Sequence, residues 1–281
     1  MEWWIILIIV LASIGVAAAL GVVVYRALIA PGMRKCGLEK YMTVKFAHRG
    51  LHGDGVAENS LSAFRLAKEA GFGIELDVRL SKDGELVVFH DSTLDRVTGV
   101  EGKVIDFTAE ELKGMKLAGT DDGIPAFSEV LELIDGRVPL LVEIKSDIGE
   151  SGVTEKLAEV IKDYHGDYII ESFNPLALRT AKKLMPGVPR GILSMKFSED
   201  PSKRGKLLYT LLENLFLNFL MRPDFIAYNK NGHDNQSLRR IRKAYGTPLF
   251  AWTVTSREEE AKAISDGFDS VIFEGYIPDK K

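Results

Sequence analysis

The sequence predicts an α/β fold in which parallel strands alternate with helices and close into a (β/α)8 barrel. A small insertion follows a hairpin on the second strand, and one N-terminal transmembrane helix precedes the barrel. Three observations lead there. From residue 44 onward, short and nearly continuous apolar runs alternate with amphipathic stretches, the pattern of strands covered on both faces. An open doubly wound sheet would share that alternation. However, His48, Asp77, Glu143, Lys145 and Trp252 fall at or near the C-terminal ends of the runs, and a closed barrel converges those ends on one mouth. Finally, the chain opens with an uncharged apolar stretch of membrane-spanning length.

That stretch, Trp3 to Tyr25, holds 23 residues without a charge and carries Trp3 and Trp4 at one end and Tyr25 at the other. As a helix it reaches about 34 Å, enough for a hydrocarbon core of about 30 Å, with aromatic residues at both interfaces. Ala17-Ala18-Ala19 would suit a signal peptidase. The residues before the run include Glu2 and no Lys or Arg, and the run exceeds a usual signal core, so an uncleaved anchor over residues 1–26 is expected. Arg26, Arg34, Lys35, Lys40 and Lys45 all follow the span, which puts the large domain in the cytoplasm by the positive-inside rule. Residues 27–43 read as a linker, in which Pro31-Gly32 stops the helix.

The barrel is expected over residues 44–281. Its strands are expected at Val44–His48, Gly73–Asp77, Pro139–Lys145, Tyr168–Ser172, Arg190–Ser194, Asp224–Tyr228, Leu249–Val254 and Ser270–Glu274. Helices are expected at Ser60–Ala70, Val153–Tyr164, Pro175–Leu184, Asn235–Tyr245 and Ser256–Ser265. Ser60, Asn174 and Ser256 would cap their starts, and Gly71, Gly246 and Gly267 would stop three of the helices. Asp83-Gly84 between the alternating runs Leu76–Leu80 and Glu85–His90 signals a hairpin that sets Asp77 opposite His90. Residues 92–123 then form the insertion, overhanging the mouth. Leu207–Met221 is unusually apolar for an outer helix. It reads either as a helix packed on the sheet or as an interfacial contact, with Lys203, Arg204 and Lys206 meeting lipid head groups.

Composition narrows the chemistry. At 281 residues and 46% hydrophobic the chain can bury a large core, and a net charge of −4 without a basic cluster gives no basis for nucleic-acid binding. The single cysteine, Cys36, excludes an internal disulfide and multi-cysteine metal sites, and reads as an incidental thiol rather than a lipidation site.

Glu75 and Asp77 are two apart, so on a strand they point to one side, while Ile74, Leu76 and Val78 fill the other. Two unpaired carboxylates on a strand buried on both faces demand a cation. Glu143 adds a third oxygen donor, and an all-carboxylate set prefers a hard ion, Mg²⁺ or Ca²⁺. His48 and His90, two of five histidines, sit near that trio and suit proton transfer near neutrality. Arg49 offers a planar fork to a phosphate and Lys145 a second positive charge. Asn59 would orient the substrate and Glu58 assist the metal, or both would serve entry into the following helix.

His48-Arg49-Gly50, Glu58-Asn59-Ser60, Glu75-Leu76-Asp77-Val78, Ser81-Lys82-Asp83-Gly84, His90-Asp91 and Glu143-Ile144-Lys145 together resemble the glycerophosphodiester phosphodiesterase family, and Ala251-Trp252-Thr253-Val254 resembles its later strand motif. The resemblance spans roughly residues 44–277. It implies a TIM-like barrel with a divalent metal, Ca²⁺ or Mg²⁺, on Glu75, Asp77 and Glu143. It also implies His48 and His90 as the acid–base pair, and Arg49, Lys145 and Trp252 on the substrate. Ser60 stands where Thr is common, and Phe273-Glu274-Gly275 where an Asp-bearing turn is usual; both departures are expected to lie off the core site. The implied activity is hydrolysis of glycerophosphodiesters to glycerol phosphate and an alcohol. A lysophospholipase D-type activity on acylated lipids and a membrane-tethered binding barrel without turnover are the alternatives.

Overall fold

The computed structural model describes residues 2–32, 37–146 and 151–279; Arg34, Lys35 and Cys36 lie outside the described residues. The strands are β1 (Lys45–Ala47), β2 (Gly73–Leu80), β3 (Leu86–Val88), β4 (Leu140–Ile144), β5 (Tyr168–Ser172), β6 (Arg190–Ser194), β7 (Phe225–Asn229), β8 (Leu249–Val254) and β9 (Ser270–Phe273). They run in the spatial order β1-β9-β8-β7-β6-β5-β4-β2, and β1 pairs with β2 to close an eight-stranded TIM-like ring. Every ladder in that ring is parallel, and β3 alone lies outside it, antiparallel to β2.

Alternation along each strand sorts the core into two layers. On β4, Leu140, Val142 and Ile144 face the helices, whereas Leu141 points inward. The inward set, Phe46, Leu141, Ile169, Leu193, Phe225, Phe250 and Ile272, fills the lower barrel. Phe250 stacks on Phe225 at 4.8 Å and on Phe46 at 6.0 Å, each pair worth about 0.5–1.5 kcal/mol beyond its buried area. Leu38 and Tyr41 join this interior cluster from below, and the Tyr41 hydroxyl donates to the Tyr168 carbonyl at 3.2 Å.

Ser60, Asn174 and Ser256 accept from the backbone N–H groups of Ala63, Leu176 and Glu259 at 3.1, 2.9 and 3.2 Å, so all three cap their helices. Gly71 and Gly246 end two helices in the left-handed region. Gly267 follows its helix one residue later, because Asp266 holds the cap position.

The membrane-length helix runs from Trp3 to Ile29, past the expected limit at residue 26. Its C-terminal end is built into the barrel wall. Ile29 is 2% exposed, and its carbonyl accepts from Asn218 Nδ2 at 3.1 Å. The Tyr25 hydroxyl meets Ser237 Oγ at 3.0 Å, and the Tyr25 ring meets Phe216 edge-on at 5.8 Å.

Two expectations need correction. The stretch Leu207–Met221 is not one helix but two, Leu207–Glu213 and Asn218–Met221, with Leu215 at φ 60° between them. The Glu213 carbonyl is taken by the Tyr228 hydroxyl and by Asn235 Nδ2, each at 3.0 Å, which ends the first helix. The hairpin register also differs by one residue. Ser81 and Glu85 close a three-residue loop with Gly84 at φ 79°, so Val78 pairs with Val88 and the Asp77 carbonyl accepts from Phe89 N–H at 3.0 Å. His90 therefore lies one residue beyond the position facing Asp77. The insertion that follows has its own cluster, in which Val97, Val104, Leu112 and Leu117 pack with Phe89 and Leu94.

Candidate active site

Strand register assembles the acidic residues. Asp77 on β2 lies beside Glu143 on β4, which lies beside Glu171 on β5. Glu75 sits two residues below Asp77 on the same inward face. His48 directly follows β1, whose Ala47 pairs with Ile74, so the histidine arrives next to Glu75. His48, Glu75, Glu143 and Glu171, with His90, Arg49, Lys145, Phe173 and Trp252, line a 110 Å³ cavity at the C-terminal end of the strands, and Asp77 lies behind Lys145. The arrangement stands on the aromatic floor below it.

Glu75, Asp77 and Glu143 are buried and offer oxygens within 4.8 Å of one another. Lys145 Nζ reaches Glu143 at 2.8 Å and Asp77 at 3.1 Å, while Asn59 Nδ2 donates to Asp77 at 2.8 Å. Burial works against the Asp77 charge, but Lys145, His90 and Arg49 outweigh it and hold the carboxyl well below its ordinary value. Burial and the neighbouring carboxylates push Glu75 up, and burial pushes Glu143 up against the pull of Lys145. Two nearby cations thus leave the carboxylates short of balancing charge. Lys145 Nζ meets Asp77 at Oδ1 and Asn59 meets it at Oδ2. An oxygen-only donor set with this charge deficit fits a divalent cation.

Each histidine has a carboxylate behind it. Glu274 Oε2 lies 2.6 Å from His48 Nδ1, and Asp91 Oδ1 lies 2.6 Å from His90 Nδ1. The His48 hydrogen bond holds the Glu274 carboxyl down at about 2, and Asp91 is also lowered, by Arg96 and His90 against the effect of burial. An ionised carboxylate can only accept, so each Nδ1 carries a proton and each Nε2 is left for the cavity. Burial also lowers the His90 pKa.

The predicted residues come together, with changes in what they touch. Arg49 takes the left-handed region at φ 55° and donates its backbone N–H to Glu75 at 2.9 Å and Nη1–H to Glu58 at 2.8 Å. The turn needs Gly50 at φ 81°, where a Cβ would sit 2.8 Å from the Ala63 Cβ. Glu58 is not among the clustered metal-type oxygens. It bridges Arg49 and, at 2.6 and 2.9 Å, Arg96 of the insertion. Asn59 is 1% exposed and holds Asp77, while helix entry falls to Ser60. Trp252 packs edge-on to Phe173 at 5.5 Å, and its buried Nε1–H has no partner among the described residues.

The model of the glycerophosphoryl diester phosphodiesterase family matches residues 48–275, a span that takes in every one of these side chains. The chain belongs to that family. A glycerophosphodiester phosphodiesterase of Caldanaerobacter subterraneus subsp. tengcongensis is 38% identical over 244 residues, covering 82% of this chain and 93% of the relative. A lysophospholipase D of Rattus norvegicus is 31% identical over 144 residues, 47% of this chain and 45% of that protein. Among solved structures, an Oleispira antarctica phosphodiesterase in complex with the product sn-glycerol-3-phosphate superposes with TM-score 0.69 at 28% identity, covering 84% of this chain and 94% of that one.

Sequence reasoning missed two carboxylates of this family member's site. Glu274 was expected off the core site, yet it is hydrogen-bonded to His48; closure of the ring sets the end of β9 beside the end of β1. Glu171 is 1% exposed and lines the cavity, and burial drives its pKa well above the ordinary value. Its signal was the alternation Ile169-Glu171-Phe173, which shares the inward phase of Glu143.

Proposed function

We propose that this chain is a membrane-anchored, divalent-metal-dependent phosphodiesterase that splits glycerophosphodiesters into glycerol phosphate and an alcohol. The observation that carries this reading is the pair of histidines, each fixed by a carboxylate at Nδ1 and each lining one cavity with Glu75, Glu143 and Arg49. One histidine takes a proton through Nε2 from the attacking hydroxyl, either water or the neighbouring hydroxyl of the glycerol. The other protonates the departing alcohol oxygen. Arg49, whose Nε lies 3.5 Å from Asp77 and whose Nη1 holds Glu58, and Trp252, through its Nε1–H, unpartnered among the described residues, grip the phosphate and the substrate. Lys145 stays on Asp77 and Glu143 and supplies positive charge beside the phosphate. Glu75, Asp77 and Glu143 would hold Mg²⁺ or Ca²⁺, which when bound would neutralise the phosphate oxygens and the charge growing on them.

The helix Trp3–Ile29 is an uncleaved span in this reading, and Arg26, Lys40 and Lys45 on its C-terminal side keep the barrel in the cytoplasm. The full chain in mild detergent, stripped with EDTA, is expected to release no choline from glycerophosphocholine until Mg²⁺ or Ca²⁺ is returned. Turnover undiminished in EDTA would rule the metal out.

One observation favours a second substrate class. A 780 Å³ groove lined by Leu51, Val56, Leu66 and Ile277 opens beside His52 and Glu274, next to His48. An acyl chain lying there would make lysophospholipids substrates. Release of choline from lysophosphatidylcholine at a rate comparable to that from glycerophosphocholine would establish the wider specificity, and no release would restrict the enzyme to deacylated diesters.

A further inference from the structure

We propose that the wedge between the membrane helix and the barrel helix Gln236–Tyr245 binds one anionic phospholipid of the leaflet facing the barrel. The proposal rests on the anchor reading above. The wedge is a 710 Å³ groove. Ala18, Gly21, Val22 and Arg26 line one wall, and Arg240 and Lys243 stand on the other. Residues 18, 21, 22, 25, 26 and 29 recur at helical spacing, so a single face of the membrane helix forms that wall.

Charge selects the occupant. Arg26, Arg240 and Lys243 are exposed, and none of the three has a carboxylate partner among the described residues. Arg242 of the same barrel helix turns away instead, to Asp269 at 2.6 Å. The Arg240 guanidinium lies 5.0 Å from the centre of the Tyr25 ring, and Tyr25 is held in turn by Ser237. The cation is therefore oriented before any ligand arrives.

Depth selects it as well. The uncharged run ends at Tyr25, so Arg26 marks the level where lipid phosphates lie, and Arg240 and Lys243 share its groove. Toward the membrane interior the wall turns to Val22, Gly21 and Ala18, and a Cβ built on Gly21 would meet nothing within 4 Å. A head group bearing net negative charge would sit against the three cations while one acyl chain follows the open strip along Gly21. A zwitterionic head group would leave the cations unbalanced. Two basic side chains near an anionic surface together amount to roughly thirtyfold in affinity.

The test uses the full chain in mild detergent with equal amounts of phosphatidylglycerol and phosphatidylcholine, read by native mass spectrometry. The wild type is expected to retain one phosphatidylglycerol in preference to phosphatidylcholine by at least about tenfold. The Arg240→Gln/Lys243→Gln double variant is expected to lose that preference, and Gly21→Leu to lose the bound lipid with every charge intact. Lys113→Gln/Lys116→Gln, which removes two charges from the insertion, should retain it. Equal retention of the two lipids, or an unchanged preference in both wedge variants, would overturn the proposal. The same spectra give the intact mass. Loss of residues 1–26 from the purified chain would overturn the anchor and the lipid site together, whereas failure of the lipid preference with the helix present overturns the lipid site alone.

Discussion

Glu274 decides which nitrogen of His48 carries the proton, because its carboxylate accepts at Nδ1 from 2.6 Å. Replacing it by Gln keeps the shape but lets the amide donate, which would invert the tautomer. Glu274→Gln is therefore expected to lower kcat while KM changes little, and an unchanged kcat would remove Glu274 from the mechanism. His48→Ala and His90→Ala are each expected to lower kcat by about 10²–10⁴ with folding intact by circular dichroism; normal turnover in either would sink the acid–base assignment. The Glu274 pair also predicts a pH effect. Its folded pKa, about 2, lies below the ordinary 4.5, so the pair stabilises the fold above pH 4.5, and that contribution is lost as pH falls toward 2. Between those limits the melting temperature of the wild type should fall further than that of Glu274→Gln. That His48, His90, Glu75, Glu143, Arg49, Lys145 and Trp252 gather at one mouth was legible because their types and spacing declare chemistry. Glu274 and Glu171 were not, because a lone glutamate at a strand end takes its meaning from the neighbouring strand.

At the scale of elements, local chemistry was legible wherever it is decided within a few residues. Ser60, Asn174 and Ser256 cap helices because a short side chain with an oxygen satisfies an open N–H. Ser256→Ala should cost about 1 kcal/mol, visible as a lower urea midpoint with an unchanged slope. Gly50→Ala should cost more, since the left-handed turn and the contact with Ala63 both forbid a Cβ, and it would disturb Arg49 and with it the activity. What the sequence pattern could not resolve was the count of loop residues in the hairpin. Asp83-Gly84 signals a turn, but two-residue and three-residue loops share that signal and differ by one place in register. The break after Glu213 was equally hidden, because Tyr228 and Asn235, distant along the chain, cap its carbonyl.

For the whole molecule, the alternation of apolar runs and helices foretold strands covered on both faces, and the polar strand ends foretold that they close into a ring with one mouth. The joint between the N-terminal apolar helix and the barrel was not foretold. Residues 27–43 read as a linker, yet Ile29 is buried and Asn218 grips its carbonyl. The joint predicts that the chain stays with membranes after alkaline carbonate washing and leaves them only with detergent; release by carbonate would show that the first helix does not span the bilayer. A different consequence follows from the other end of the barrel, where Leu38 and Tyr41 seal the strands from below. The barrel is a cup rather than a tube. Whatever enters to react must leave by the same doorway, so traffic through the mouth is two-way and spent glycerol phosphate blocks the next arrival until it departs.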